Sequence, residues 1–284
     1  MKIKFDNQIT QSNTPSCEFY LMVLELEALF VGNYMTAYPI SVLPEVSLPE
    51  CISFMAKRGI GNLIVSTEEG DPFGVLTERD ILKQIVEKNT LPNVDLKKIL
   101  LTPFEMVSPN TSIQSAAELI ISKKARLLVF TDSNKLVGII TPSDLLRAFR
   151  KTYVAPILDD VISKKVYHVG YNDSIFDACK LMYEKRVGSV IVDGKNSEFG
   201  IFTERDLVFK VLNNRVNLDE AINLYSSFPL ITAPDILANE AANIMAQHHI
   251  KRLVLRDQEK ISGIVTVRDI IDAYQSKSPQ IRNY

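Results

Sequence analysis

The chain has 284 residues, 46% of them hydrophobic, and its 32 Lys and Arg residues nearly balance its 34 Asp and Glu residues. The net charge of −2, without any run of five like charges, disfavours a nucleic-acid-binding arm or an acidic solvating tail. This length favours about two domains, each able to bury a core. Cys17, Cys51 and Cys179 lie far apart, which is typical of a reducing compartment and indicates a cytoplasmic location.

The most apolar stretch of the chain, 17–31, comes first and contains Glu18, Glu25 and Glu27. A membrane-spanning helix needs about 20 largely uncharged residues, and a secretory signal would not carry acids through its apolar region. We therefore expect residues 1–32 to form an N-terminal extension. Its apolar part is expected to be a peripheral helix, or else a strand, docked on the first domain.

A seven-residue pattern that begins with glycine and ends with aspartate occurs four times. The copies are GVLTERD from Gly74, GIITPSD from Gly138, GIFTERD from Gly200 and GIVTVRD from Gly263. The glycines lie 64, 62 and 63 residues apart, so the pattern is an internal repeat.

Each repeat predicts, in chain order, a strand, a helix, two strands and a second helix. The first helix has apolar residues three and four positions apart, as in Leu48, Cys51, Ile52 and Met55. The second strand is a continuous apolar run, such as 63–65, typical of a strand covered on both faces. The predicted first strands are short and lie at 40–43, 104–107, 166–169 and 230–232.

The second helix of each repeat is predicted to begin at the threonine of the pattern. Apolar residues four, five and eight positions after each threonine form one stripe on this helix. A unit of this size has a core too small to be stable alone, so we expect repeats one and two to pair, and likewise repeats three and four.

These patterns also predict where the pairs begin and end. A linker is expected at 151–156, where Pro156 discourages a continuous helix. The expected units are a first pair at 33–152 (repeats 33–90 and 96–152), a second pair at 156–275 (repeats 156–214 and 218–275) and a C-terminal tail at 276–284.

The recurring Thr-x-x-Asp sequence has two interpretations. It resembles a helix capping box, in which threonine and the residue three positions later satisfy each other's backbone amides. Pro142 at the first helical position supports this register. However, a capping box usually ends in Glu or Gln and needs no upstream glycine. A helix N-terminus also favours phosphate, and a carboxylate beside it can accept ribose hydroxyls, so a nucleoside phosphate site is the second interpretation.

The repeat of strand, helix, two strands and helix, closed by hydrophobic-x-Thr-x-x-Asp, resembles the CBS domain, named after cystathionine β-synthase. The resemblance covers residues 33–152 and 156–275, most of the chain. It implies an α+β fold of four βαββα repeats that form two pseudo-two-fold paired modules. It also implies that the clefts within each module bind adenosine-containing ligands: AMP, ADP, ATP or S-adenosylmethionine.

The resemblance implies specific binding residues. The four aspartates of the pattern would accept ribose hydroxyls, and the four threonines would lie beside the phosphate or ribose. Basic residues before the second strand would contact phosphate. The implied residues are Thr77, Asp80, Thr141, Asp144, Thr203, Asp206, Thr266, Asp269, Arg126, Lys251 and Arg252.

Repeats one and three depart from this pattern, because they have Gly61-Asn62 and Gly188-Ser189 where repeats two and four have Arg126 and Lys251-Arg252. We expect one stronger site per module, with Arg126 and Arg252 on phosphate, while Gly61 and Gly188 leave space for a base. Arginines that directly precede the aspartate, such as Arg79, are expected to form surface salt bridges, with phosphate contact as the alternative.

The leading functional hypothesis is a non-enzymatic regulatory protein that responds to an adenine nucleotide by changing conformation. No catalytic or metal site is expected, since the chain shows no nucleophile with its base, no paired carboxylates and no metal ligands at a recognised spacing. Expected partners are the nucleotide, a second copy in a homodimer through the CBS modules, and an unidentified regulated protein, but no membrane. The alternatives are nucleic-acid binding and an oligomeric scaffold.

Overall fold

The computed structural model describes residues 17–153, 155–158, 162–163, 165–194, 198–227, 231–232, 236–257, 260–276 and 281–282. Residues 1–16 of the expected N-terminal extension lie outside these ranges. So do most of the tail expected at 276–284, and Leu230 of an expected first strand.

The segment before the first repeat is a helix rather than a strand. Helix α1 spans Cys17–Glu27, and its Met22 and Leu26 are fully buried. Both side chains belong to a hydrophobic cluster that also contains Ile113 of repeat two. A 3-10 turn at Val31–Asn33 and strand β1, Thr36–Ala37, lead into the first repeat.

The four repeats contain the predicted elements in the predicted order. Repeat one has β2 (Ser41–Val42), α2 (Leu48–Arg58), β3 (Asn62–Ser66), β4 (Pro72–Thr77) and α3 (Glu78–Lys88). Repeat two has β5 (Phe104–Val107), α4 (Ile113–Lys123), β6 (Arg126–Phe130), β7 (Leu136–Ile140) and α5 (Pro142–Phe149), and is followed by β8 (Ala155–Pro156).

The second half of the chain has the same order. Repeat three has β9 (His168–Val169), α6 (Ile175–Glu184), β10 (Ser189–Asp193), β11 (Phe199–Thr203) and α7 (Glu204–Asp206), which continues as a π-helix at Leu207–Leu212. Repeat four has β12 (Ile231–Thr232), α8 (Ala238–Gln247), β13 (Arg252–Asp257), β14 (Lys260–Thr266) and α9 (Val267–Gln275), and is followed by β15 (Ile281–Arg282). In repeats one and three the first strand is two residues long, shorter than predicted.

Each repeat forms a sheet of the same topology. The first strand pairs in parallel with the second, and the second pairs antiparallel with the third. The helix between the first two strands is the crossover that a parallel pair requires. The three-stranded orders are β2-β3-β4, β9-β10-β11 and β12-β13-β14, and repeat two adds β1 in the order β1-β7-β6-β5.

The residues that lead into each repeat pair with the sheet of the neighbouring repeat. Thr36 in β1, which precedes repeat one, lies opposite Ile139 of repeat two. Single bridges occur at the same position elsewhere, always opposite the residue after the recurring glycine. These bridges are Val75 with Thr102, Ile201 with Ser227 and Ile264 with Ser163. This exchange ties the repeats of one pair together.

The sheets of paired repeats pack face to face. Ile64 and Val75 of repeat one meet Leu128 and Ile139 of repeat two in one cluster. Ile191 and Ile201 of repeat three meet Val254 of repeat four in another. The predicted pairing of repeats one with two and three with four is confirmed.

The helices join the two modules to each other. Buried side chains of α2 and α3 share one cluster with those of α6 and the π-helix, so repeat one packs on repeat three. Those of α4 and α5 share another cluster with those of α8 and α9, so repeat two packs on repeat four. The modules therefore associate within one chain.

The segment expected to be a linker is partly built into the fold. Thr152 is buried, and its hydroxyl lies 2.7 Å from the hydroxyl of Tyr274. Ala155 and Pro156 form β8, which pairs with β15 beyond repeat four. This segment is held by contacts with residues more than 100 positions away in the chain. The local sequence pattern could not predict these contacts.

Candidate functional site

All four Thr-x-x-Asp sequences cap a helix in the same way. Each threonine is extended and precedes the first helical turn, and one aspartate oxygen, Oδ2, accepts hydrogen bonds from its amide and hydroxyl. The amide-to-Oδ2 distances are 2.9 Å at Thr77, 2.8 Å at Thr141, 3.0 Å at Thr203 and 2.7 Å at Thr266. Capping uses only one carboxylate oxygen, so the other, Oδ1, is available for a different role.

The partner of Oδ1 differs at each aspartate. At Asp80 it is the hydroxyl of Thr102, 3.1 Å away. At Asp144 it is Arg147 at 2.9 Å, with Thr36 at 3.4 Å. At Asp206 it is the ammonium of Lys210, 2.8 Å away. Among the described residues, only Thr266 hydrogen-bonds to Asp269, through Oδ2. Asp269 is therefore the aspartate whose Oδ1 can accept a ligand hydroxyl without losing a protein partner.

Four hydroxyl residues that the sequence analysis did not single out pair with the sheets of the neighbouring repeats. They are the lead-in residues that face the neighbouring repeat: Thr36, Thr102, Ser163 and Ser227. Thr102 and Thr36 hydrogen-bond directly to their aspartates. Ser163 instead donates to the carbonyl of Lys165. The signal in the sequence was a Thr or Ser shortly before each first strand, at intervals close to those of the glycines.

Burial raises the pKa of the carboxyl groups of Asp80, Asp144 and Asp269. Desolvation is the main cause at Asp80, Asp144 and Asp269, and hydrogen bonds from the capping threonine act against it. At Asp269 the nearby Asp272 raises the pKa further and Arg268 lowers it. A neutral diol or a cationic group at the cleft can stabilise such a carboxylate.

All four repeats line a central cavity of about 410 Å³. Repeat four contributes Thr266 and Asp269, and repeat three contributes Val166, Tyr167 and Gly188. The volume lies within the range of small-molecule sites, roughly 300–1,000 Å³. Asp269 therefore lies on the wall of a space large enough for a ligand.

The central cavity is predominantly basic. Seven basic side chains line it, among them Arg126, Lys251 and Arg252, against the acids Glu78, Glu204 and Asp269. Arg126 donates from Nε to Asn62 Oδ1 at 2.9 Å, which holds the side chain at this wall. An excess of positive charge in a confined space favours an anionic ligand such as a phosphate chain.

Two glutamates of the repeated pattern connect the modules across the central cavity. Glu78 of repeat one is 7% exposed and meets Arg205 at 3.3 Å and Lys251 at 3.0 Å. The equivalent glutamate of repeat three, Glu204, pairs with Arg79 of repeat one, with 2.9 Å between Oε1 and Nε. This contact is an ion pair without hydrogen-bond geometry. The surface salt bridges expected for Arg79 and Arg205 are instead ion pairs between modules, with largely buried glutamates.

Charged side chains lie directly against two glycines that line the central cavity, Gly61 and Gly188. A Cβ atom at Gly61 would meet Glu78 Oε1 at 2.6 Å, and one at Gly188 would overlap the guanidinium of Arg252. Both glycines nevertheless line the central cavity of about 410 Å³, so that they leave room for a base stays a prediction, which requires Glu78 and Arg252 to move aside. Opposite charges from the facing repeats draw Glu78 and Arg252 into the space that the missing side chains leave.

A second cavity, of about 280 Å³, lies beside Asp144. Its wall includes Thr36, Tyr38, Thr141 and Asp144. Here Oδ1 of the aspartate is already paired with Arg147. Thus the structure brings Thr266, Asp269, Arg126, Lys251 and Arg252 to one cavity and leaves Asp144 at another. Thr77 and Thr141 also line the central cavity, whereas Asp80, Thr203 and Asp206 do not belong to its wall.

The described part of the chain contains neither a cluster of metal ligands nor a membrane-spanning helix. Within those ranges, no group of three or more His, Cys, Asp or Glu side chains is arranged to hold a metal ion. No helix there is long and apolar enough to cross a membrane.

The sequence was compared with protein families and curated proteins. A family model described as CBS domain matches residues 31–87, 96–151, 158–213 and 223–276, more than half of the chain. The uncharacterized protein MJ1404 of Methanocaldococcus jannaschii is 24% identical over 263 residues, which span 85% of this chain and 61% of that protein. The CBS domain-containing protein YhcV of Bacillus subtilis is 30% identical over 115 residues, 40% of this chain and 81% of YhcV.

Solved structures share the fold at low sequence identity. Protein MJ1225 from Methanocaldococcus jannaschii, described as a proposed archaeal homologue of g-AMPK, superposes with a TM-score of 0.72 at 20% identity, covering 86% of this chain and 99% of that one. A conserved protein from Pyrococcus horikoshii gives a TM-score of 0.59 at 20% identity, covering 87% and 100%.

Proposed function

Since the chain belongs to the CBS-domain family, with four copies of the domain, we propose that it is a non-enzymatic regulatory protein that binds an adenine nucleotide. The observation that carries the proposal is Asp269, which lines a basic cavity and whose Oδ1 has no hydrogen-bond partner among the described residues. A neutral ribose supplies the two hydroxyl donors that this oxygen can accept. The likeness to MJ1225, described as a proposed homologue of g-AMPK, supports a regulatory role.

The charge of the central cavity favours some adenosine ligands over others. With ribose on Asp269, the phosphates of AMP, ADP or ATP extend toward Arg126, Lys251 and Arg252. S-adenosylmethionine carries a sulfonium cation and would add positive charge to a site that already has an excess of it. The proposed order of affinity therefore places the phosphorylated ligands first.

Binding is coupled to the contact between modules through shared cations. Lys251 lines the central cavity and also pairs with Glu78 of the other module at 3.0 Å. Arg79 lines the same cavity and pairs with Glu204. A bound phosphate chain competes with both glutamates for these cations, so occupancy changes the free energy that holds the two modules in one arrangement.

The proposed function also requires partners that respond to the bound nucleotide. The helical faces of the two modules cover each other within the chain, so a homodimer would use a different surface. The regulated protein and the cytoplasmic location remain predictions.

Isothermal titration calorimetry with AMP, ADP, ATP and S-adenosylmethionine tests the proposal on protein shown to be free of nucleotide by its absorbance spectrum. We expect binding of the phosphorylated ligands. We expect Asp269→Asn to weaken it about 10- to 100-fold, because a hydrogen bond to a charged group is worth roughly 1.5–3 kcal/mol. Asp193→Asn, at an exposed aspartate paired with His168, is the matched control and should leave affinity unchanged. Absence of heat with every ligand at millimolar concentration would reject the proposal.

A further inference from the structure

The cleft of repeat three, at Asp206, differs from the other three because a lysine ammonium contacts its aspartate. The Thr-x-x-Asp motif alone does not reveal this difference. We propose that Lys210 is a built-in cation that occupies the ribose position of the Asp206 cleft and closes it to nucleosides. The inference rests on the proposed function, because it states which of the clefts are able to bind. It makes Lys210 a residue that determines how many ligands one chain takes.

Three acceptors surround the ammonium group of Lys210. Its Nζ lies 2.8 Å from Asp206 Oδ1, 2.6 Å from Ser227 Oγ and 3.1 Å from the carbonyl oxygen of Tyr225. An ammonium carries three N–H donors, so all three have acceptors. The hydroxyl of Ser227 is the lead-in hydroxyl of this cleft, and it meets the lysine rather than the aspartate.

The lysine stands at a position where the other repeats have no cation. It lies four residues after the aspartate, where repeat one has Gln84, repeat two Ala148 and repeat four Ala273. The backbone is also different, because this segment is π-helical, with the amide of Asn213 bonded to the carbonyl of Val208. The corresponding helices α3, α5 and α9 are α-helical. π-Helical turns are rare and frequently occur at functional sites.

The ammonium lies where the proposed function places the ribose, beside the aspartate, and not where it places the phosphate, in the central cavity. Phosphate is favoured at the N-terminus of the helix, and Glu204, the first helical residue, lines the central cavity. The wall of that cavity includes neither Asp206 nor Lys210. Asp206 is 9% exposed, and a neutral diol cannot replace the charge-assisted contact that the ammonium makes with it.

The test is the number of ligands bound per chain, measured by equilibrium dialysis with ATP and, separately, with adenosine. Lys210→Ala installs the residue of repeats two and four, and Lys210→Gln installs the residue of repeat one. We expect either variant to bind one more equivalent than the unaltered chain. The added equivalent should disappear in the double variant Lys210→Ala, Asp206→Asn.

Controls separate the two proposals. Lys83→Ala removes a half-buried lysine of α3 that pairs with Glu87 outside the central cavity, and it should leave the number of ligands unchanged. If the unaltered chain binds nothing, the proposed function fails, yet a single new site in the Lys210 variants would still support this inference. If the folded variants bind the same number of equivalents as the unaltered chain, whether that number is zero or more, the inference is overturned. Circular dichroism of both variants establishes that they fold.

Discussion

At the scale of single residues, four carboxylates with one sequence pattern have four different surroundings. In each of them Oδ2 caps a helix. Oδ1 meets a hydroxyl at Asp80, a guanidinium at Asp144 and an ammonium at Asp206, whereas at Asp269, which lines the central cavity, Oδ1 has no hydrogen-bond partner among the described residues. A cation or hydroxyl from the protein competes with a ligand hydroxyl for the same acceptor. Equal motifs therefore do not make equal sites.

The raised pKa of Asp269 leads to a prediction about stability and pH. A folded-state pKa above the ordinary 3.8 means that the folded protein binds this proton more tightly than the unfolded chain does. The contribution to stability is fully present below the unfolded pKa and is lost as pH rises through the folded pKa. Asp269→Asn cannot ionise, so we expect it to raise the free energy of unfolding at pH 7 by an amount that shrinks toward pH 4.

Urea unfolding of both proteins at pH 7 and at pH 4.5 measures this difference. Asp177→Asn is a control of opposite sign, because hydrogen bonds from Lys180 and Ser174 lower the pKa of that exposed carboxyl group. Its substitution should reduce stability at pH 7, and the loss should fade as the solution becomes acidic. If the stability gained in Asp269→Asn instead grows as the pH falls, the predicted direction of the pH dependence is wrong.

At the scale of elements, each repeated helix start serves stability and leaves one aspartate oxygen outside the cap. At three of the four helix starts the hydroxyl of the N-cap threonine accepts a hydrogen bond from the amide three residues later. At all four the aspartate accepts a hydrogen bond from the threonine amide. In the first module, the strand that enters from the neighbouring repeat then brings the hydroxyl of Thr36 or Thr102 to the same carboxylate. A cleft is therefore assembled from a helix start and a strand exchange, not from the motif alone.

Two matched substitutions separate capping from binding. Thr203→Ala and Thr266→Ala each remove an N-cap, and we expect each to lower the free energy of unfolding by about 1 kcal/mol. Only Thr266→Ala should also weaken ATP binding, because Thr266 lines the central cavity and the Thr203 cleft is closed by Lys210. Chemical unfolding together with calorimetry measures both effects. Equal losses of affinity in the two variants would mean that both clefts bind.

At the scale of the whole molecule, packing of the modules brings charges from distant repeats to one centre. Burial is the main cause that raises the pKa of Glu204, and Arg79 of the other module is the main group that lowers it. The reciprocal pair of Glu78 with Arg205 gives the interface an approximate symmetry between repeats one and three. These ion pairs link the ligand cavity to the contact between modules.

Removal of one partner tests that link. Arg79→Ala leaves the Glu204 carboxylate, 13% exposed, without its main ion-pair partner, and should lower the free energy of unfolding at pH 7 by about 1–3 kcal/mol. Without the arginine the pKa of Glu204 rises further, so protonation relieves the cost and the loss should be smaller at pH 5 than at pH 7. Urea unfolding at both pH values measures the loss. Lys83→Ala, at a partly exposed ion pair on the same helix, should change stability by less than about 0.5 kcal/mol.

Features set by short-range patterns were predictable from the sequence. The four repeats, the order of their elements, the helix starts at threonine and the pairing of sheets depend on apolar periodicity and on the Thr-x-x-Asp spacing. The lead-in hydroxyls had the same periodic signal, but their role depends on a strand that pairs outside its own repeat. The exact length of the first strands was not predictable, since two residues of ladder leave little local signal.

The sequence by itself determined the fold class and the helix caps, because these follow from residues only a few positions apart. Only the tertiary structure decided which aspartate keeps a free oxygen and where the basic residues meet. Glu78 contacts Arg205 and Lys251 across separations of 127 and 173 residues. Such contacts depend on how complete modules pack, and charges that are distant along the chain have no local pattern to report them.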